Sequence, residues 1–185
     1  MTAPARAVLP PTLLTIGHGS ATSDELLARL HAADTATVVD VRRYPGSKSN
    51  PQSARSAMGQ WLPQAGIDYR WDPRLGGRRT PHADSPHRGL RNRGLRAYAD
   101  HMQSVEFQEG MKELLAGAQQ RPTAILCAES VWWKCHRRLI ADAAMLLHDV
   151  PVIHLMPGGR QNPHIITDTG RVRDGQLFYD PTDHP

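Results

Sequence analysis

"TAILCAESVWWKCHRRLIADAAMLLHDVPVIHLM", residues 123–156, is the stretch on which the fold turns. Its first six residues, 123–128, are a compact apolar run, and such a run predicts a buried strand. The last six, "PVIHLM" at 151–156, predict another. Between them Leu139, Ile140, Ala143 and Leu147 fall on one face of a helix. Strand, helix and strand in immediate succession make a βαβ unit, and its right-handed crossover sets the two strands parallel.

Working outward, the same alternation continues. "LLTIG" at 13–17 reads as a first buried strand, and "TSDELLARLHAA" at 22–33 as a helix. There Thr22 and Glu25 have capping-box spacing, and Leu26, Leu27 and Leu30 form the buried stripe. "ATVVDVR" at 36–42 is rich in β-branched residues and stops before Pro45-Gly46, as a second strand would. "SARSAMGQWLPQAG" at 53–66 predicts a weaker helix interrupted by Pro63 and closed by Gly66, and "IDYRW" at 67–71 a short strand. Residues 73–94 lack apolar periodicity and read as a long, mobile loop. Helices follow near 95–102 and at 105–119, the latter with Ser104 as N-cap and Phe107, Met111, Leu114, Leu115 and Ala118 inward. The tail "HIITDTGRVRDGQLFYD" carries Thr-Gly and Asp-Gly turn signals and reads as terminal strand pieces. The expectation is an α/β fold: a mostly parallel sheet flanked by helices on both faces. It is a single domain over 13–185 with a C-terminal strand extension, after a loose lead-in at 1–12.

Composition narrows the function classes. The chain has 185 residues, 39% hydrophobic and 22% charged, which suits one globular domain. No run approaches the roughly 18 apolar residues of a membrane span, and "MTAPARAVLPPT" lacks an apolar signal core, so a cytoplasmic protein without a membrane partner is expected. Two cysteines are too few for a secreted disulfide framework. The formal charge of +4 and pI near 9.4 favour anionic partners: phosphate-bearing ligands, nucleic acid or an acidic surface. A basic protein with no nucleic-acid role is equally open on charge alone.

In open α/β sheets ligands bind beyond the carboxyl ends of the strands. That rule gathers His18, Gly19 and Ser20 from the first strand and Asp40, Arg42, Arg43 and Tyr44 from the second. Cys127 and Glu129 come from the strand at 123–128, and His154 from the last. His18 suits acid–base or ligand work, or simply satisfies a backbone carbonyl. Asp40 lies in an apolar run and requires a partner, an Arg by preference, in either a structural pair or a catalytic role. "YPGSKSNPQSAR" at 44–55, with Ser47 and Asn50, is either an anion-binding loop or an ordinary polar turn. Seven arginines from Arg74 to Arg96, Arg78 among them, make a solvated basic loop or a clamp over an anionic ligand.

Both cysteines fall in "CAESVWWKCHRR", 127–138. A thiol at a helix start is acidified by unpaired N–H groups and the dipole, and Arg137 and Arg138 add to this. Three schemes compete. One thiolate is a nucleophile with His136 or His18 as base; or Cys127, Cys135, His136 and His18 supply ligands suited to zinc or iron; or both thiols are structural. The seven-residue gap is not a CxxC pair, and Trp133 breaks a phosphatase-type Cys-x5-Arg loop. Trp132 and Trp133 either wall the site, stacking on a planar ligand, or fill the core.

Taken in order, "TIGHGS" (15–20), "VVDVRRYPGSKSNPQ" (38–52), "LGGRR" (75–79), "YADHMQSVEFQEGMKELL" (98–115), "ILCAESVWWKCHRRLIAD" (125–142) and "PHIITDTGRVRDGQLFYD" (163–180) resemble the domain-of-unknown-function 488 family. Gly19-Ser20 departs from that family's usual T-I-G-H-S-N. The resemblance implies an α/β fold and a shared site around His18, Asp40, Arg42, Cys127, Glu129, Cys135, His136 and Arg137, and it brings no established reaction. The leading expectation is an enzyme for a small anionic or nucleotide-like ligand. Cys135 is its reactive thiol, His136 or His18 its base, Arg42 and Arg137 its anion binders, and Glu129 and Asp40 orient groups or relay protons. A nucleic-acid-binding module using the arginine loop and a Cys/His metalloprotein are the alternatives.

Overall fold

A computed structural model describes residues 11–46 and 49–181; Ser47 and most of the 1–12 lead-in lie outside them. The elements run β1 (Leu13–Gly17), α1 (Ser23–His31), β2 (Thr37–Asp40), α2 (Arg55–Gln64), β3 (Asp68–Trp71), α3 (Arg93–Met102), α4 (Val105–Gln120), β4 (Thr123–Cys127), α5 (Arg137–His148) and β5 (Val152–Leu155). Three short strands follow: β6 (Gln161–Pro163), β7 (Gly170–Arg173) and β8 (Gln176–Tyr179). Six strands form one sheet in the order β3-β2-β4-β1-β5-β6, parallel except for β6, while β7 and β8 form a separate hairpin.

Alternation along the strands builds two cores. Leu14, Ile16, Val38, Ala124 and Leu126 face Leu26 and Leu30 of α1 and Met58 and Leu62 of α2. Leu13, Val39, Ile125 and Val152 face the opposite layer, formed by α3, α4 and α5. Both faces of the sheet are therefore covered, as a parallel sheet requires.

Local signals set the boundaries. Thr22 and Glu25 close the capping box that starts α1, and Ser104 and Asn92 accept backbone N–H groups to start α4 and α3. Pro63 sits in the last turn of α2, where its missing N–H costs little. Asp174 and Gly175 both take positive φ, the two-residue hairpin turn that an Asp-Gly pair favours. Among the described residues no helix is long and apolar enough to cross a membrane.

The 73–94 segment has little regular structure, yet contacts pin it. Leu75, His87 and Leu90 are buried, Gly89 N–H donates to Tyr179 O at 2.9 Å, and Tyr98 Oη donates to Leu75 O at 2.7 Å. Periodicity is blind to such staples, because each rests on a single residue rather than a repeating face.

The topology also creates the kind of crevice in which open α/β sheets bind ligands. The chain leaves β1 toward α1 and β2 toward α2 on one face, but leaves β4 toward α5 on the other. Because β4 lies between β2 and β1, its carboxyl end is flanked on both sides by strands whose connections run to the face opposite its own. Cys127 is the last residue of that strand.

Candidate functional site

Backbone bonds seat the end of β4 between its neighbours. His18 N–H donates to Cys127 O at 2.9 Å, Gly19 N–H to Ala128 O at 2.8 Å, and Val41 N–H to Leu126 O at 3.0 Å. The chain then turns through a short helical turn at Trp132–Lys134 and returns Cys135, in extended conformation, just ahead of α5. The two buried sulfurs end 3.3 Å apart. His136 Nδ1 is 3.5 Å from Cys135 Sγ and 3.8 Å from Cys127 Sγ.

Hydrogen-bond bookkeeping assigns the ring. His136 Nε2 lies 3.0 Å from Val41 O, which only accepts, so Nε2 carries the proton and the Nδ1 lone pair faces the sulfurs. Gly77 backs this ring: a Cβ there would sit 2.9 Å from Nδ1. Tyr98 packs on the ring at 5.0 Å between centroids.

Arg137 supplies the charge. It is 1% exposed; one terminal nitrogen donates to Glu129 O at 2.5 Å, the other to Thr15 Oγ1 at 3.2 Å, and its Nε is buried without a partner. No carboxylate pairs with it among the described residues. A buried cation without an anion favours any neighbour that can ionise. The shared hydrogen bond with Cys127, then His136 and Arg137, holds the Cys135 thiol well below the usual thiol range. The same hydrogen bond, together with burial, pushes the Cys127 thiol up. With Cys135 ionised, the proton between the sulfurs belongs to Cys127.

His18 and Asp40 sit in a neighbouring, closed set. Asp40 is fully buried and holds Arg42 through both oxygens, at 2.8 and 2.6 Å, and also accepts from Tyr69 Oη at 2.6 Å. His18 Nδ1 donates to Gly19 O at 2.9 Å, which leaves Nε2 to accept from Arg42 at 3.1 Å. Burial, ahead of the field of Arg42, lowers the His18 pKa. The structure brings His136, and not His18, to the thiols.

A cavity of 260 Å³ opens over both sulfurs and His136, bordered by Arg42, Arg43, Arg78 and Lys134 against one acid, Glu129. A larger cleft of 410 Å³, lined by His18, Ser20, Arg29 and Gly158, shares none of its walls. The smaller one is the cavity that both thiols and His136 line, whereas the larger offers only the hydroxyls of Ser20 and Ser130. Asn50 lies outside that wall, ahead of the Pro51–Ser53 turn, where its carbonyl accepts Ser53 N–H at 2.9 Å.

The donor atoms of Cys127, Cys135 and His136 all lie within 4.8 Å of one another. Zinc bonds of about 2.3 Å to sulfur and 2.0 Å to nitrogen in tetrahedral geometry separate ligand atoms by roughly 3.5–3.8 Å. The two sulfur–nitrogen sides, 3.5 and 3.8 Å, fall in that range, the sulfurs at 3.3 Å stand closer than it, and all three residues border the cavity.

The family model described as "Domain of unknown function DUF488" matches residues 22–144, more than half of the chain. The chain belongs to the DUF488 family. The match takes in Asp40, Arg42, Cys127, Glu129, Cys135, His136 and Arg137, and stops short of His18 and His154. Neither the curated proteins nor the solved structures contain a match to this chain.

Sequence reasoning passed over Gly77, Tyr98 and Lys134. Each stands inside or beside a quoted motif, but a wall residue has no chemical signature of its own. It also passed over Thr15, Asp142 and His164. Arg137 donates to Thr15, whose hydroxyl then donates to His154 Nδ1 at 2.6 Å. His154 Nε2 donates to His164 Nδ1 at 2.9 Å, and His164 Nε2 to Asp142 Oδ1 at 2.9 Å. Because Arg137 can only donate, every later member must accept and pass a hydrogen bond on, ending at the carboxylate. Trp132 lies flat on His154 with ring centroids 4.2 Å apart, while Trp133 is exposed.

Proposed function

We propose that this protein is a thiol-dependent enzyme, a transferase or hydrolase, acting on a small anionic or nucleotide-like substrate at the carboxyl end of β4. One observation carries the reading: the Cys135 sulfur has a sulfur hydrogen-bond partner at 3.3 Å and the His136 Nδ1 lone pair at 3.5 Å, beside a buried arginine that lacks a carboxylate. His136 Nδ1 takes the Cys135 proton, and Val41 O holds the other ring N–H. The thiolate attacks the acyl or phosphoryl centre, a bond to sulfur forms and the leaving group departs with the Nδ1 proton. His136 then takes a proton from water, the hydroxide displaces Cys135, and the thiolate–imidazolium pair is restored. Arg43, Arg78 and Lys134 at the cavity wall favour substrate charge. Both cysteines must stay reduced, so the reading includes a cytoplasmic setting.

Turnover of mono(p-nitrophenyl) succinate against neutral p-nitrophenyl butyrate tests it. The expected result is a covalent adduct on Cys135 by mass spectrometry, faster release from the anionic ester, and loss of both in Cys135→Ser. Absence of any adduct, or release that survives Cys135→Ser, overturns it.

The donor triangle supports a second reading, a Cys/His centre for zinc or iron with its open position toward the cavity. Elemental analysis of protein purified without chelator decides it: about one metal per chain, lost in Cys127→Ser, favours the metal centre, and metal-free protein with an acidic Cys135 favours the thiolate.

A further inference from the structure

The thiol cavity is the inner end of a longer groove. An outer cavity of 740 Å³ shares Asn92, Leu95 and Lys134 with it and continues past Arg88, Arg91 and Trp133. The side chains of Arg78, Arg88, Arg91 and Lys134 have no partner among the described residues. Other arginines of the same loop are spent on structure: Arg74 holds Asp72 and Glu113, Arg79 holds backbone carbonyls, and Arg96 holds Leu90 O. The loop therefore divides its charge between staples and a free cationic wall. Against that wall stand one acid in each cavity, Glu129 and Asp168.

The aromatic residues are as selective. Among the described residues the exposed large aromatics are two, Tyr44 at 63% and Trp133 at 46%. Tyr44 borders the inner cavity and Trp133 the outer one. Trp133 is held in place rather than loose: it packs edge-on against Trp132, which lies flat on buried His154. An exposed indole in one cavity and, in the other, an exposed phenol with the Arg43 guanidinium 5.5 Å from its ring centre, both beside unpaired cations of the wall, fit planar rings and phosphates.

We infer that this groove binds single-stranded nucleic acid, with unpaired bases stacked on Trp133 and Tyr44 and phosphates on Arg78, Arg88, Arg91 and Lys134. The strand leads to the thiol cavity, so the inference names the substrate class for the reaction proposed above and rests on that reading only for what happens to the strand there. Arg42 takes no part, since Asp40 neutralises it.

Fluorescence anisotropy of a labelled oligothymidine with the full chain, read without turnover, tests binding apart from thiol chemistry. Four phosphate contacts give a slope of log affinity against log salt of about −3. Arg88→Ala with Arg91→Ala reduces that slope by about 1.4, and Trp133→Ala weakens binding by about fivefold or more with the slope kept. These side chains lie at the surface, and circular dichroism confirms that the variants fold. No binding at low salt overturns the inference. So does a duplex of the same length, a mononucleotide or polyglutamate binding as tightly as the strand, or an unchanged affinity in Trp133→Ala.

Discussion

Two histidine clusters meet at Arg137, and they are built on opposite principles. In the Thr15–His154–His164–Asp142 chain every ring nitrogen is used. Asp142 accepts from His164, from Thr167 twice and from Tyr179, at 2.6–2.9 Å, and is fully buried. At the thiols, His136 has one ring nitrogen fixed on Val41 O and the other facing two sulfurs, beneath a cationic cavity. A saturated polar network fixes a structure; an unsaturated one is left with something to do. Arg137 joins them, anchored by the first and lending its charge to the second.

The two clusters should therefore fail differently. Asp142→Ala orphans four donors at once and is expected to cost about 3 kcal/mol or more of stability in urea unfolding. Cys135→Ser, by contrast, should leave the unfolding midpoint nearly unchanged. Equal losses in the two variants would erase the distinction. Next in size is Cys127→Ala, which removes the S–H partner of Cys135; alkylation of Cys135 near neutral pH should slow by about tenfold, the order of one pKa unit. Cys127→Ser keeps a donor and should restore most of the rate.

The saturated cluster contributes a pH dependence of stability through His154. Burial first, then His164 and Arg137, push His154 down to about 3 from 6.5. A folded value below the unfolded one means that the unfolded chain takes up the proton first. Stability is thus fully present above pH 6.5 and is lost as pH falls toward 3. His154→Gln should flatten urea midpoints against pH in that window by about one proton; an unchanged slope would show that His154 does not carry it. The smallest effect belongs to Gly77→Ala. Its Cβ would displace the His136 ring, at about 1 kcal/mol of stability and with slower Cys135 alkylation.

The layout of the sheet was legible because it rests on repeating signals. The apolar runs at 13–17, 36–42, 123–128 and 151–156 each contain the strand observed, and Thr22, Ser104 and Asp174-Gly175 stand where their caps and turn are found. The meeting of Cys127, Cys135 and His136 was legible too, since one motif spans the end of β4 and the start of α5. The closed cluster was not. Asp142 reads as one polar residue on a helix, and His164 comes 22 residues later, beyond β5 and β6. Nor does sequence separate the arginines of the 73–94 loop into staples and free wall, because the difference lies in partners such as Glu113 and Leu90 O, supplied by folding.

The most direct test is titration of the thiols one at a time, following thiolate absorbance in Cys127→Ser and Cys135→Ser beside the unaltered chain. The structure predicts that Cys135 ionises well below an ordinary thiol while Cys127 ionises above it. Two cysteines that both titrate like free thiols would contradict it.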